Sequence, residues 1–256
     1  MSHVASKKQS GFTIIELTIA MGFVSAILIA IALTIIQIGG IYNRGVTLKQ
    51  VNQAGRAVSS ELQDSISSSA PFSVETDSGA TSTTLLEQDW GGAFCLGGYS
   101  YIWNNGEDIE KAMSSGNYDN LNIYRDEDVD YSGTVSESKI PHFIKIYDPS
   151  RSYCEVIEGE KIEGIKLADS TDLLAVGQNN LVIHKLTIST YNEAMSAVSN
   201  QQLYDITITI GTNKRETLLL ENGEVNSCQP PSAFDADPTY CSVEQFHIVA
   251  RSGSSN

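Results

Sequence analysis

The chain has 256 residues, 41% of them hydrophobic, and a formal net charge of −15. This length and apolar content suffice for one medium domain with a real core, or two small ones beside an anchor, and exclude a wholly disordered chain. The negative charge would repel a phosphate backbone, so no direct nucleic-acid binding over a broad face is expected.

Lys7 and Lys8 precede a run from Leu17 to Ile36 that is broken only by Thr18, Gly22, Ser25 and Thr34 and contains no charge. About 20 such residues span a bilayer as a helix. A secretory signal peptide is the alternative, but its apolar core would be only ~7–15 residues long. Basic residues flank the run on both sides, with Arg44 and Lys49 after it, so the positive-inside rule barely separates the two topologies. Cys95, Cys154, Cys228 and Cys241 all follow the run, with no C-x-x-C pair. That pattern suits disulfides in an oxidising compartment and places the N-terminus inside and the folded part outside.

Glu16 stands immediately before the apolar run, where a lone carboxylate is costly unless it finds a partner. The order Lys7, Lys8, Gly11, Phe12, Thr13, Ile14, Ile15, Glu16, Leu17 and then an apolar helix resembles the N-terminus of the type IV pilin family. The resemblance implies that a prepilin peptidase cuts between Gly11 and Phe12 and that the new terminal amine is methylated. It also implies that the Glu16 carboxylate pairs with the N-terminal ammonium of its own or a neighbouring subunit during assembly. Both charges must leave water, and each gains most by meeting the other, which would give Glu16 a register-setting role. The plainer reading is an interfacial glutamate at the end of an ordinary anchor.

Beyond the apolar run, Val51, Ala54, Val58, Leu62 and Ile66 recur three and four residues apart and predict one helical face packed on a globular head. Gly39, Gly40, Gly45 and Gly55 each weaken a helix by roughly 1 kcal/mol relative to alanine, so a bend or melted turn is expected near Gly39 and Gly40. The stretch from Ser67 to Pro71 should end the helix. The segment from Gln53 to Leu62 also looks similar to the post-anchor helix of PilW-type and GspJ-type minor pilins.

After Pro71 the pattern shifts to short alternating strands. Ile206, Ile208 and Ile210 alternate with Thr207 and Thr209 between Leu203 and Gly211, as a half-buried strand requires. Further strands are expected at Tyr99–Trp103, Leu121–Tyr124, Phe143–Tyr147, Glu155–Ile157, Ile162–Leu167, Leu181–Ser189, Glu216–Leu220 and Phe246–Ala250, with Asn222 and Gly223 forming a tight hairpin turn. Thr76–Thr84, Asn104–Asn120 and Gln229–Pro238 read as exposed loops. The four cysteines allow three pairings. Cys228 with Cys241 and Cys95 with Cys154 are favoured, because the first pair closes a short proline-containing loop for ~3 kcal/mol. Buried free thiols are the alternative.

Asp126, Asp128, Asp130 and Glu137 reproduce the acidic positions of an EF-hand calcium loop, but Tyr131 stands where the sharp turn needs glycine. A solvated acidic loop fits the acidity of the whole head; a calcium site of other geometry is the second reading. His3, His142, His184 and His247 show no metal-ligand spacing, and the chain carries no G-x-S-x-G elbow, P-loop or H-E-x-x-H. Gly91, Gly92, Gly97 and Gly98 around Cys95 lack the context of a phosphate loop and read as a loop packed near a disulfide. No enzyme is therefore expected.

The expected fold is α+β: a leader over residues 1–11, a membrane or filament-core helix over 12–38, its amphipathic continuation over 39–69, and a β-rich extracytoplasmic head over 70–256. The resemblance implies a minor pilin or pseudopilin serving pilus assembly, adhesion or twitching motility. Its implied partners are other pilins, prepilin peptidase and an inner-membrane assembly platform. It would be a single-pass membrane protein before assembly and then part of a surface or periplasmic filament. A secretion or competence pseudopilin and a single-span anchored binding protein are the alternatives.

Overall fold

The computed structural model describes residues 11–74, 84–88, 91–115, 121, 140–154, 170–174, 180–190, 201–221, 224–230 and 240–253. The chain divides into two units, Met1–Asn43 and Arg44–Asn256. Helix α1, Ile14–Ser67, begins in the first and ends in the second.

Within the first unit the large apolar side chains of α1 are exposed on every side, among them Ile14 at 84%, Ile27 at 44% and Tyr42 at 70%. Apolar residues point all round the helix, as in a segment that meets hydrocarbon or other helices rather than one core face. Within the second unit the exposure becomes one-sided. Thr47, Val51, Gly55, Val58, Leu62 and Ile66 are buried, at the three- and four-residue spacing of one helical stripe. The Ser69 hydroxyl bonds the Ile66 carbonyl at 2.9 Å just beyond the helix end.

The head contains three antiparallel sheets among the described residues. The first has the order β1 (Leu85–Gln88), β2 (Gly91–Leu96), β3 (Tyr99–Asn104), β4 (Phe143–Tyr147) and β5 (Ser170–Asp172). The second orders β10 (Val243–Arg251), β7 (Leu203–Thr212) and β6 (Leu181–Thr190), and the third pairs β8 (Leu218–Glu221) with β9 (Glu224–Cys228). With α1 packed on this β-rich head, the fold is α+β.

The main core joins the α1 stripe to both larger sheets: Val58, Leu62 and Ile66 share a cluster with Phe94, Tyr101 and Phe143 and with Ile206, Ile208 and Ile210. The isoleucines of β7 alternate as their spacing predicts. A second cluster, Ala93, Cys95, Ile102, Ile144, Ile146 and Cys154, covers the opposite face of the first sheet. Consecutive residues of β2 and β3 therefore face different cores, which accounts for the unbroken burial of β2. Polar contacts reinforce the helix–sheet seam. Glu61 on α1 forms an ion pair with Lys145 on β4 and accepts a hydrogen bond from the Tyr101 hydroxyl at 3.0 Å, while Lys145 Nζ lies 4.1 Å from the Tyr99 ring centroid. The chain leaving α1 is held by Tyr204, whose ring stacks on Phe72 at 4.0 Å and whose hydroxyl bonds both the amide and the carbonyl of Phe72.

Several expectations need correction. Gly39 and Gly40 are helical, so no melted turn forms there; they lie inside one continuous 54-residue helix, where propagation from already formed turns on both sides needs no new nucleus. The expected loop Asn104–Asn120 contains helix α2, Gly106–Ser115. Asn105 is its N-cap, with Oδ1 accepting the Glu107 amide at 3.0 Å and its carbonyl accepting that of Ile109 at 3.1 Å. Ile109 and Ala112 dock against Leu121, Ile140 and Val182, and this tertiary burial overrides the turn-like composition. Gly91 and Gly92 lie inside β2 rather than in a loop, and Gly97 and Gly98 connect β2 to β3 with Leu96 opposite Tyr99. Gly91 has φ +147°, and a Cβ there would collide with the Trp103 carbonyl oxygen, so only glycine fits that approach. Leu218, not Glu216, begins β8, because Arg215–Thr217 form a 3₁₀ turn closed by the Thr217 amide and hydroxyl on the Lys214 carbonyl. Leu121 is not in a strand, and residues 122–124, 155–157 and 162–167 lie outside the described residues. So do Asn222 and Gly223, although Glu221 pairs with Glu224 on either side of them.

Candidate functional site

The start of α1 is the first candidate. Gly11 and Phe12, the expected processing point, precede the helix and are exposed, Phe12 at 89%. Thr13 is the N-cap. Its backbone amide and hydroxyl donate to Glu16 Oε2 at 2.9 and 2.8 Å, and the Glu16 amide donates to Thr13 Oγ1 at 3.3 Å. This reciprocal arrangement is a capping box, which satisfies amides that the first turn would otherwise leave unpaired. The Thr-x-x-Glu spacing of this box is legible in the sequence. The carboxylate that looked unpartnered has a local one.

The hydroxyls of the apolar run are also internally satisfied. Thr18 Oγ1 donates to the Ile15 carbonyl at 3.0 Å, Ser25 Oγ to Met21 at 2.8 Å and Thr34 Oγ1 to Ala30 at 2.6 Å. None of these side chains brings an unpaired donor into hydrocarbon. Among the described residues one helix, α1, is long and apolar enough to cross a membrane, with a window of mean hydropathy 2.7. This fits a single-pass anchor.

The head carries two disulfides, Cys95–Cys154 and Cys228–Cys241, which point to an extracellular or periplasmic location. Beside the first, buried Asp148 accepts hydrogen bonds from the Ser100 hydroxyl at 2.8 Å, from the amide and hydroxyl of Ser152 at 3.1 Å, and from the Tyr153 amide at 3.2 Å. Burial alone would raise its pKa, but these donors outweigh that effect and lower it.

The other sequence candidates do not converge. Asp126, Asp128, Asp130 and Glu137 lie outside the described residues, as does His3. His142 is buried, with Nδ1 2.6 Å from the Leu181 carbonyl, and burial lowers its pKa. His247 pairs with Asp205 on neighbouring strands. Among the described residues no group of three or more His, Cys, Asp or Glu could hold a metal.

Sequence reasoning missed a cleft of about 410 Å³ in the head, between α2, β6 and the β8–β9 hairpin. Buried Trp103 and Ile183 form its floor, Leu220 and Val225 contribute accessible apolar surface, and Glu110 lines it from α2. Two ion pairs lie on its walls, Arg215 with Glu107 and Lys185 with Glu224, both at 2.7 Å. His184 sits at a register shift between Ile183 and Lys185 of β6, a β-bulge, and its Nε2 is 3.2 Å from the Thr212 carbonyl. Burial pushes its pKa down to about 4, so the imidazole is neutral at pH 7, with Nε2–H donating to Thr212 and Nδ1 left as an acceptor. Residues from four separate segments build this cleft, and no local spacing announces it.

No family model, curated protein or solved structure matches the chain.

Proposed function

We propose that this chain is a structural minor subunit, a minor pilin or pseudopilin, of a type IV pilus or related filament machine, cut between Gly11 and Phe12 and assembled through α1. The observation that carries the reading is the start of α1. There the Gly-Phe-Thr-Ile-Ile-Glu sequence leads into a helix that is apolar on all sides, with Glu16 as the one carboxylate before the span. Such a surface requires lipid before assembly and neighbouring helices after it. In this reading the Glu16 carboxylate, held by Thr13 in the isolated subunit, accepts the ammonium of Phe12 or of a neighbour's Phe12 when the helices pack. Other pilins, prepilin peptidase and an inner-membrane assembly platform are the partners.

The mature N-terminus, measured by mass spectrometry on membrane-fractionated protein, tests the proposal. Methylated Phe12 is expected; Met1 or Ser2 retained in assembled protein would overturn it and favour a single-span anchored binding protein. Glu16→Ala should lower incorporation into filaments while leaving the head folded, and normal assembly of this variant would refute the register-setting role. Pilus, secretion and competence filaments share this anchor chemistry. Deleting the gene and scoring piliation, motility, transformation and secretion separates these uses.

A further inference from the structure

The filament reading assigns nothing to the cleft between α2, β6 and the β8–β9 hairpin, and the cleft's chemistry stands independently of that reading. Its cations are already matched, Arg215 by Glu107 and Lys185 by Glu224, each at 2.7 Å. An anionic ligand would have to break one of these pairs and approach a third carboxylate, Glu110. His184 supplies no charge at pH 7, since burial holds its pKa down to about 4 against the opposing effect of its hydrogen bond to the Thr212 carbonyl. The walls therefore offer mainly acceptors: the carboxylates of Glu107, Glu110 and Glu224, with lone pairs beyond those that Arg215, Lys111 and Lys185 use, and the Nδ1 of the neutral His184 ring. Leu220 and Val225 add an accessible apolar surface. The bulge at His184 is the kind of local irregularity that re-aims a side chain towards a site.

A matching ligand carries several O–H donors on an uncharged frame and has C–H faces to cover apolar wall. The cleft volume, about 410 Å³, lies within the usual range for small-molecule sites. We propose that the head binds a short neutral saccharide in this cleft, with its hydroxyls donating to Glu107, Glu110 and Glu224.

The test uses the full chain, purified in a detergent without a sugar headgroup, and ligand-observed NMR titration with maltose, lactose and chitobiose. At least one probe should saturate with a dissociation constant of about 1 mM or tighter. Glu110→Gln should weaken that binding about tenfold, by removing charge-assisted acceptors. Leu220→Trp places an indole on a half-exposed wall of the cleft and should abolish binding, with circular dichroism confirming an unchanged fold. The proposal is overturned if no probe saturates, if Leu220→Trp binds as well as the parent, or if inorganic phosphate or spermidine displaces the saccharide at equal concentration.

Discussion

Gly55 lies mid-helix and is buried, and the Phe246 ring of β10 fills the place where a side chain would be. A Cβ built there would lie 2.7 Å from Cδ2 of the ring, and closer still to Cε2 and Cζ. Helix propensity favours Gly55→Ala by about 1 kcal/mol. Overpacking opposes it by about 1–3 kcal/mol, because the ring must leave its rotamer and its contacts with the core. The two terms leave Gly55→Ala destabilised by about 1 kcal/mol, or a fall of about 2–4 °C in Tm. In a Phe246→Leu background the obstruction shrinks and the propensity gain should emerge, reversing the sign. Urea unfolding of the four proteins, followed by tryptophan fluorescence, gives the coupling energy, expected at about 2 kcal/mol. If Gly55→Ala stabilises the parent, or if the coupling is zero, the packing of α1 against β10 does not account for this glycine.

Replacing Cys228 and Cys241 together by serine reopens a loop of sequence separation 13 and should cost about 3 kcal/mol, read as a lower urea midpoint. Between pH 6.5 and about 4 the unfolded chain takes up a proton that the half-buried His184 refuses. Stability should therefore be fully present above pH 6.5 and decline as pH falls towards 4, and His184→Gln should flatten this part of the profile in pH-dependent melts. Asp148, whose pKa is lowered, acts at lower pH: its contribution is present above the ordinary carboxylate range and is lost on acidification through its folded pKa, so Asp148→Asn should remove that acid-limb slope. Thr13→Val removes the capping-box acceptor and donor and should speed amide hydrogen exchange in the first turn of α1, while the head exchanges as before.

Signals confined to a short stretch of chain were readable in advance. The apolar run, the stripe through Val51, Val58, Leu62 and Ile66, and the alternation of Ile206, Ile208 and Ile210 each follow from one periodicity and one environment. Strand β2 failed that test, because Phe94 faces one core and Ala93 and Cys95 the other, so no alternation was left to see. Helix α2 failed it for another reason: a ten-residue helix in a Gly-, Ser- and Asn-rich stretch depends on the burial of Ile109 and Ala112 for its existence.

The sequence by itself determined the anchor and the class of fold, because a membrane-length apolar helix and an alternating strand write their environments directly into residue order. It also contained the capping box, since Thr13 and Glu16 are three residues apart. Only the tertiary structure decided that Phe246 occupies the space above Gly55, that Lys145 reaches Glu61, and that Glu107, His184, Arg215 and Glu224 share one cleft. Such contacts join residues tens to hundreds of positions apart, and no local pattern encodes which of them will meet.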